Sequence, residues 1–124
     1  MNTKPSPLSL AYFRFLQLRR SFTAHDGIPL SANERALLES IVLAWHEGLP
    51  MPIRQAITLK ELGSPATLHK RLSKLRAAGL LEVMAASNDR RTKLLIPTEK
   101  AFQYFEQLGQ AMSLQALSST PSLN

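Results

Sequence analysis

A short amphipathic segment with marked ends restricts the fold of this chain more than any other part of its sequence. Ser64 and Pro65 are a typical helix start, a capping side chain followed by proline in the first turn. Gly79 is a typical helix stop. Between them the large apolar residues fall on one face of a helix: Leu68, Leu72 and Leu75. The sequence therefore predicts a helix over residues 64–78 with one buried face.

The segments on either side of this helix have their own patterns. A second short helix is predicted over residues 53–62, and only a tight Gly-Ser-Pro turn separates it from the helix at 64–78. After Gly79 the pattern predicts two strands, Leu80–Ala86 and Thr92–Ile96, around a polar turn at 87–90. Two short helices followed by a hairpin, here residues 80–97, form a winged helix-turn-helix.

Longer helices are predicted at both ends of the domain, over residues 8–23 and 98–112. The first is apolar on more than one side, which predicts a subunit interface as well as a core. The residues expected at this dimer interface are Leu8, Ala11, Phe15, Leu18, Phe22, Phe105, Leu108 and Met112. Between the end helices, a capping box at Ser31–Glu34 opens a helix that is predicted to run to about Glu47 and to bury Leu38, Ile41 and Trp45.

Together these elements predict one mainly α domain with a small β-hairpin wing. In fold class this is an α+β winged helix-turn-helix with dimerisation helices at its N- and C-terminal ends. The domain is expected to span residues 8–112. We expect residues 1–7 to be flexible, and residues 113–124, which are rich in Ser, Thr and Leu, to form a disordered tail.

The positive charge is concentrated in the middle of the chain. Of its 124 residues, 15 are Lys or Arg and 9 are Asp or Glu, for a formal net charge of +6. Residues 49–100 hold 10 of the basic and 4 of the acidic side chains. This distribution favours an anion-binding surface on one element, with a solvated cationic face as the alternative.

Several other classes of protein find no support in the composition. The absence of cysteine excludes a disulfide-stapled scaffold, a cysteine nucleophile and thiolate-bound zinc. The three histidines lack metal-ligand spacing, the glycines form no phosphate-binding loop and the carboxylates are scattered. No apolar run is long enough to span a bilayer. We therefore expect a cytoplasmic protein that is not an enzyme and uses no cofactor, metal or membrane.

The outward face of the predicted helix 64–78 suits contact with nucleic acid. It carries no acidic and no large apolar residue, whereas a merely solvated helix face usually includes glutamates. Small side chains let the helix backbone approach base edges, and His69 and Lys70 can donate to guanine or phosphate. The residues expected to contact DNA are Ser64, Pro65, Ala66, Thr67, His69, Lys70, Arg71, Ser73 and Lys74 of this helix, and Arg90, Arg91 and Lys93 of the hairpin.

The hairpin and the segment after it resemble the wing signature of the MarR family of bacterial transcription regulators. In that signature an aspartate, a spacer and an arginine are followed seven residues later by a threonine, and Asp89, Arg91 and Thr98 have this spacing. The run from Leu75 to Gly79-Leu80 is similar to the family's recognition-helix exit. The resemblance implies that Arg91 reaches DNA from the wing, that Asp89 braces this or a neighbouring arginine, and that residues 64–71 enter the major groove. It also implies a homodimer.

The sequence thus predicts a sequence-specific double-stranded DNA-binding regulator, a repressor acting as a homodimer on a pseudo-palindromic operator. Two alternatives remain open at this point. One is a winged-helix module that docks an acidic protein partner, and the other is a DNA-binding accessory factor without an effector. The sequence does not identify a small-molecule effector.

Overall fold

The computed structural model describes residues 4–25 and 29–119, and for residues 22–25, 111 and 113–119 it describes the backbone alone. The elements in chain order are α1 (Pro7–His25), α2 (Ala32–His46), α3 (Ile53–Ala56), a 3₁₀ turn (Lys60–Leu62), α4 (Pro65–Ala77), β1 (Leu81–Ala86), β2 (Asp89–Pro97) and α5 (Glu99–Ser119). This order confirms the predicted class, mainly helical with one antiparallel hairpin. Across residues 4–25 and 29–119, no helix is long and apolar enough to cross a membrane.

The chain divides into two compact units. Leu30–Phe102 is one of them and contains the helix-turn-helix and the hairpin. The other contains α1 and the part of α5 from Gln103 onward.

The core of Leu30–Phe102 forms where α2 packs against α4 and β2. Its fully buried side chains are almost all aliphatic, because leucine and isoleucine stripes on the helices face the buried ends of the strands. The largest of them are Leu37, Leu38 and Ile41 of α2, Leu68 and Leu75 of α4, and Leu80 and Leu95 next to and within the hairpin. Leu38 and Ile41 are buried as predicted. Trp45 is half-buried instead, because the ring it contacts, that of Phe102 at 5.3 Å and tilted by 50°, is itself exposed.

The capping box at the start of α2 is present as predicted. The Ser31 amide donates to Glu34 Oε1 at 2.8 Å, and the Glu34 amide donates to Ser31 Oγ at 3.1 Å. The second carboxylate oxygen of Glu34 accepts from Lys74 Nζ at 2.9 Å, which ties the start of α2 to α4. Glu34 is a buried charged residue, so its carboxylate depends on these partners for the hydrogen bonds that water would otherwise provide.

The hairpin pairs β1 with β2 in an antiparallel register from Leu81 opposite Pro97 to Ala86 opposite Asp89, with an irregularity between Ala85 and Ala86. The turn consists of only two residues, 87 and 88, and not the predicted four. The arginines Arg90 and Arg91 therefore lie on β2 rather than in the turn. The connector before α3 also joins the sheet, because the Leu95 amide donates to the Met51 carbonyl at 2.8 Å beside a Pro52–Leu94 bridge.

Two predicted helices differ clearly from the structure, and the others agree to within about two residues at each end. The helix expected over 53–62 is divided into α3 and the 3₁₀ turn, because Leu59 has a non-helical ψ of 85° and Thr58 bonds back to the Gln55 carbonyl. The last helix continues to Ser119 rather than ending at Met112, so residues 113–119 of the expected tail are helical. Residues 111–119 include alanine, leucine, methionine and glutamine, which favour helix, and no proline interrupts them. Residues 120–124 lie outside the described part of the chain.

The carboxylate of Glu34 gives the fold a defined pH dependence. Burial raises the pKa of Glu34. The Ser31 amide, the Lys74 ammonium and the Ser31 hydroxyl together lower this pKa by more than burial raises it, so it lies below its ordinary value. A carboxyl whose pKa is lower in the folded state stabilises the fold while it is ionised. Its contribution is therefore complete at neutral pH and is lost as the pH falls through the folded-state pKa.

We expect Glu34→Gln to lower the free energy of unfolding by about 1–2 kcal/mol at pH 7, because it removes the ion pair with Lys74 and weakens the capping box. The difference from the wild type should shrink as the pH falls below the ordinary glutamate value of about 4.3 and through the lowered folded-state pKa, because the wild-type carboxyl is then protonated as well. Urea unfolding at several pH values measures this. Glu39→Gln, an exposed position on the same helix, is the control and should change stability by less than about 0.5 kcal/mol. A loss that is equal at pH 3 and pH 7 would contradict the assignment.

Candidate nucleic-acid interface

The start of α4 is capped by the residues that the sequence indicated. Ser64 has extended backbone angles, and its hydroxyl accepts from the Thr67 amide at 3.3 Å. The Ser64 and Thr67 hydroxyls are also hydrogen-bonded to each other at 2.9 Å. Pro65 occupies the first turn, where a missing amide hydrogen costs nothing. The side chains at this end of α4 are therefore held in a defined arrangement.

The turn before α4 depends on Gly63 and Arg71. Gly63 has a φ of +147°, which side-chain-bearing residues rarely adopt, and a Cβ there would lie 3.2 Å from Arg71 Nη1. The same Nη1 donates to the Leu62 carbonyl at 2.6 Å. Arg71, which was predicted to contact DNA, thus anchors α4 to the turn in front of it.

The end of α4 is closed by both backbone and side chains. Gly79, with a φ of +78°, donates its amide to the Arg76 carbonyl, and the Leu80 amide donates to the Leu75 carbonyl, which is a Schellman motif. The hydroxyl of Thr98 donates to the Gly79 carbonyl and accepts from the Ala101 amide. Lys100 Nζ donates to the Ala78 carbonyl at 2.7 Å. The first turn of α5 therefore holds the last carbonyls of α4.

These attachments fix which face of α4 is presented to solvent. Leu68, Leu72 and Leu75 are buried, as predicted. The predicted DNA-contacting residues of this segment that are exposed are Ser64, Pro65, Ala66, His69, Lys70, Ser73 and Lys74, and those that are half-buried are Thr67 and Arg71. Lys74 is exposed but forms the ion pair with Glu34. The exposed face of α4 therefore carries small side chains at its start and cationic or neutral side chains along the rest of its length.

The wing presents its cations from β2. Arg90, Arg91 and Lys93 are all exposed. The carboxylate of Asp89 braces this strand: Oδ1 accepts from the Arg91 backbone amide at 3.0 Å, and Oδ2 accepts from the Thr92 hydroxyl at 2.9 Å. Sequence reasoning expected Asp89 to hold an arginine, and the structure shows the contact at that residue's amide. The guanidinium of Arg91 thus stays available to solvent.

A cleft of about 490 Å³ lies between α3, α4 and the wing. Its lining includes His69 of α4 and the wing residues Asp89, Arg91 and Lys93, all of which the sequence had indicated. It also includes Arg54 of α3, which sequence reasoning missed. A single arginine in a short segment carries no spacing signal, so only the packing of α3 beside the wing reveals this residue.

Within residues 4–25 and 29–119, no three His, Asp or Glu side chains come together in a group that could hold a metal ion. The exposed side chains described above form a cationic binding surface, built from a helix, a turn and a two-stranded wing. A surface helix fixed at both ends beside a basic hairpin is the architecture of the winged helix-turn-helix.

Comparison with known proteins agrees with this architecture. The family model described as a winged helix DNA-binding domain matches residues 30–101, and the chain belongs to this family. No curated protein matches the sequence. Among solved structures, the fold is similar to that of the transcriptional regulator Tm0710 from Thermotoga maritima, at 18% identity and a TM-score of 0.66, with 93% of this chain and 73% of that chain covered.

Two further solved structures have a similar fold. MarR itself is similar at 17% identity and a TM-score of 0.54, over 90% of this chain and 79% of that chain. MepR of S. aureus, solved as a DNA complex, is similar at 14% identity and a TM-score of 0.60, over 86% of both chains. The resemblance to MarR that the wing motif indicated is therefore confirmed in the fold, and the chain is a winged helix DNA-binding domain whose fold is similar to that of MarR.

The bracing of the wing by Asp89 has a measurable signature. The Arg91 amide, the Thr92 hydroxyl and the charge of Arg54 lower the pKa of Asp89. The carboxylate bonds are therefore complete above about pH 4 and are lost only as the pH falls through this lowered pKa. We expect the NMR resonance of the Arg91 amide to titrate with a midpoint below about 3.9.

Asp89→Asn is the matched control for this titration, since it keeps the shape of the side chain but cannot ionise. The Arg91 amide should then show no transition in the same pH range. A midpoint at or above the ordinary aspartate value, or a transition that persists in the variant, would show that Asp89 does not hold this amide.

Proposed function

We propose that this protein is a sequence-specific regulator of transcription that binds double-stranded DNA as a homodimer and represses by occluding a promoter. The observation that carries the proposal is the exposed face of α4. That face is fixed at both ends, is free of acidic and large apolar side chains, and lies beside a wing with two arginines and a lysine. The solved complex of MepR with DNA, whose fold this chain shares, supports duplex DNA as the partner.

The dimensions of α4 suit the major groove, which is about 12 Å wide and admits one helix. In this arrangement Thr67 and Lys70 lie on the reading face, where a methyl group can contact thymine and an ammonium can donate to guanine. Arg91 then reaches the neighbouring backbone or minor groove from the wing. The base contacts of α4 determine the preferred sequence, and the contact of Arg91 raises affinity for every sequence.

Dimerisation is proposed through α1 and the distal part of α5. Several large apolar side chains on these helices are exposed in the single chain: Leu8 is 84%, Phe13 is 49% and Met112 is 50% accessible. Exposed apolar groups of this size favour association. Of the residues predicted for the interface, Ala11, Phe15, Leu18 and Phe105 are half-buried, Leu108 is already buried in the single chain, and the side chain of Phe22 lies outside the described residues.

A two-fold symmetric dimer presents two copies of α4 to DNA, so its binding site is pseudo-palindromic with half-sites about one helical turn apart. A protein that acts on the genome in this way works in the cytoplasm of a bacterial cell. Selection of bound DNA sequences distinguishes this function from the two alternatives. These are a winged-helix module with an acidic protein partner and an accessory factor without an effector.

The first experiment is selection of bound sequences from a random duplex pool at near-physiological salt. An enriched palindrome is the expected result. Binding without any consensus would contradict the regulator and indicate an accessory DNA-binding factor, and no retention of duplex would indicate a protein partner. Repeating the selection with Lys70→Gln should change the preferred base at one position of each half-site towards adenine, which glutamine recognises. An unchanged consensus would remove Lys70 from the reading face.

Arg91→Ala should weaken binding to every duplex about tenfold and leave the selected consensus unchanged. The dependence of affinity on salt should also become less steep by about one unit, because one phosphate contact is lost. Titration of a labelled duplex at several salt concentrations measures both quantities. Arg14→Ala, which removes the same charge from an exposed position on α1, is the control. Equal effects of the two substitutions would show that the wing acts only through overall charge.

A further inference from the structure

The cleft beside Arg54 is an open groove bordered by three separate elements of the winged helix. Ile53 and Arg54 of α3 and Ile57 just after it lie on one side, α4 contributes His69, and β2 contributes Arg91, Thr92 and Lys93. The cleft therefore lies between the two parts of the surface that are proposed to enter or approach the DNA grooves. The sequence predicted DNA contacts on two sides of this cleft, α4 and the wing, and none on α3.

The cleft carries an excess of positive charge. Arg54, Arg91 and Lys93 face a single carboxylate, that of Asp89. Both Asp89 oxygens are engaged, with the Arg91 amide and the Thr92 hydroxyl. In the described part of the chain, none of the three cations lies within 4 Å of a carboxylate. The charge in the cleft is thus suited to an anion from outside the protein.

The walls of the cleft strengthen this attraction. Pro52, Ile53 and Ile57 supply apolar surface next to the cations. Low-dielectric walls of this kind concentrate the field of nearby charges. Asp89 meanwhile accepts from the backbone amide of Arg91 and the side-chain hydroxyl of Thr92, so one side of the cleft has a fixed shape.

The path of the DNA decides which anion reaches the cleft. A duplex with α4 in its major groove and the wing at the adjacent minor groove has one sugar-phosphate strand between the two grooves. That strand must cross the surface between α4 and the wing, where the cleft lies. Phosphate oxygens are the acceptors that arginine side chains bind best on DNA.

We propose that this cleft seats the DNA strand between the two grooves, and that Arg54 binds one of its phosphates from the α3 side. The assignment rests on the proposed DNA-binding function and adds to it a third point of attachment. Arg54 positions the duplex and does not read bases, so its contribution is the same for all sequences.

The test pairs a protein substitution with a DNA substitution. Each phosphate of the selected duplex is replaced in turn by an uncharged methylphosphonate, and affinity is measured for the wild type and for Arg54→Gln. One methylphosphonate should weaken the wild type about tenfold and have little effect on Arg54→Gln, which identifies the partner phosphate by non-additivity. Arg54→Lys should restore part of the affinity and keep the same sensitive phosphate, since it keeps the charge but not the forked geometry.

Lys60→Gln is the matched control, an exposed cation lost from the neighbouring 3₁₀ turn outside the cleft. It should remain sensitive to the phosphate that Arg54→Gln ignores. If every methylphosphonate weakens Arg54→Gln and the wild type equally, the cleft does not seat a phosphate, although the wild type still binds DNA and the proposed function stands. If the wild type binds no duplex, both proposals fail.

A free anion in the cleft is distinguished by competition. Inorganic phosphate should inhibit duplex binding by the wild type no more than chloride does at equal ionic strength. Specific inhibition by phosphate that is absent from Arg54→Gln, combined with equal effects of every methylphosphonate on Arg54→Gln and the wild type, would show that the cleft takes only a free anion. This would overturn the assignment to the DNA strand. Circular dichroism and urea unfolding confirm that each variant is folded before binding is measured.

Discussion

The burial of three leucines on one side of α4 is the constraint on which the rest of the interface depends. Each buried leucine contributes about 2 kcal/mol, so any rotation of α4 that exposed Leu68, Leu72 or Leu75 would be costly. With these residues inside, the opposite face is presented to solvent as a consequence of the 100° rotation per helical residue. The side chains that α4 presents to solvent are thus selected by the core, which they do not enter.

Other contacts turn this orientation into a rigid surface. Arg71 holds the turn before α4, and Thr98 and Lys100 hold the C-terminal end of the helix. Between these two points, Lys74 of α4 forms an ion pair with Glu34 of α2. These side chains come from different parts of the chain, so α4 is fixed relative to α2, the preceding turn and the start of α5. A binding surface loses less entropy on binding when its backbone is already fixed. Two of the cations on α4 therefore serve the geometry of the surface first.

The wing illustrates a similar division between structure and function. Asp89 uses both carboxylate oxygens on backbone and hydroxyl donors of β2, and the guanidinium of Arg91 remains exposed. The threonine of the wing motif, Thr98, is half-buried, and its hydroxyl joins the end of α4 to α5. The motif that resembles the MarR family thus combines one residue that is free to contact DNA with two that hold its surroundings in place.

Local signals in the sequence were enough to determine the helix caps, the leucine stripe, the stop at Gly79 and the presence of a hairpin. These features depend on hydrogen bonds and apolar periodicity within a few residues, so they can be read from neighbouring positions. Only the tertiary structure decided that Arg71 and Lys74 are engaged by the protein and that Arg54 joins the cleft. It also showed that the 53–62 helix is interrupted. These outcomes depend on groups distant in sequence or on backbone angles that several sequences can satisfy, and a residue's partner across the fold leaves no periodic trace in the chain.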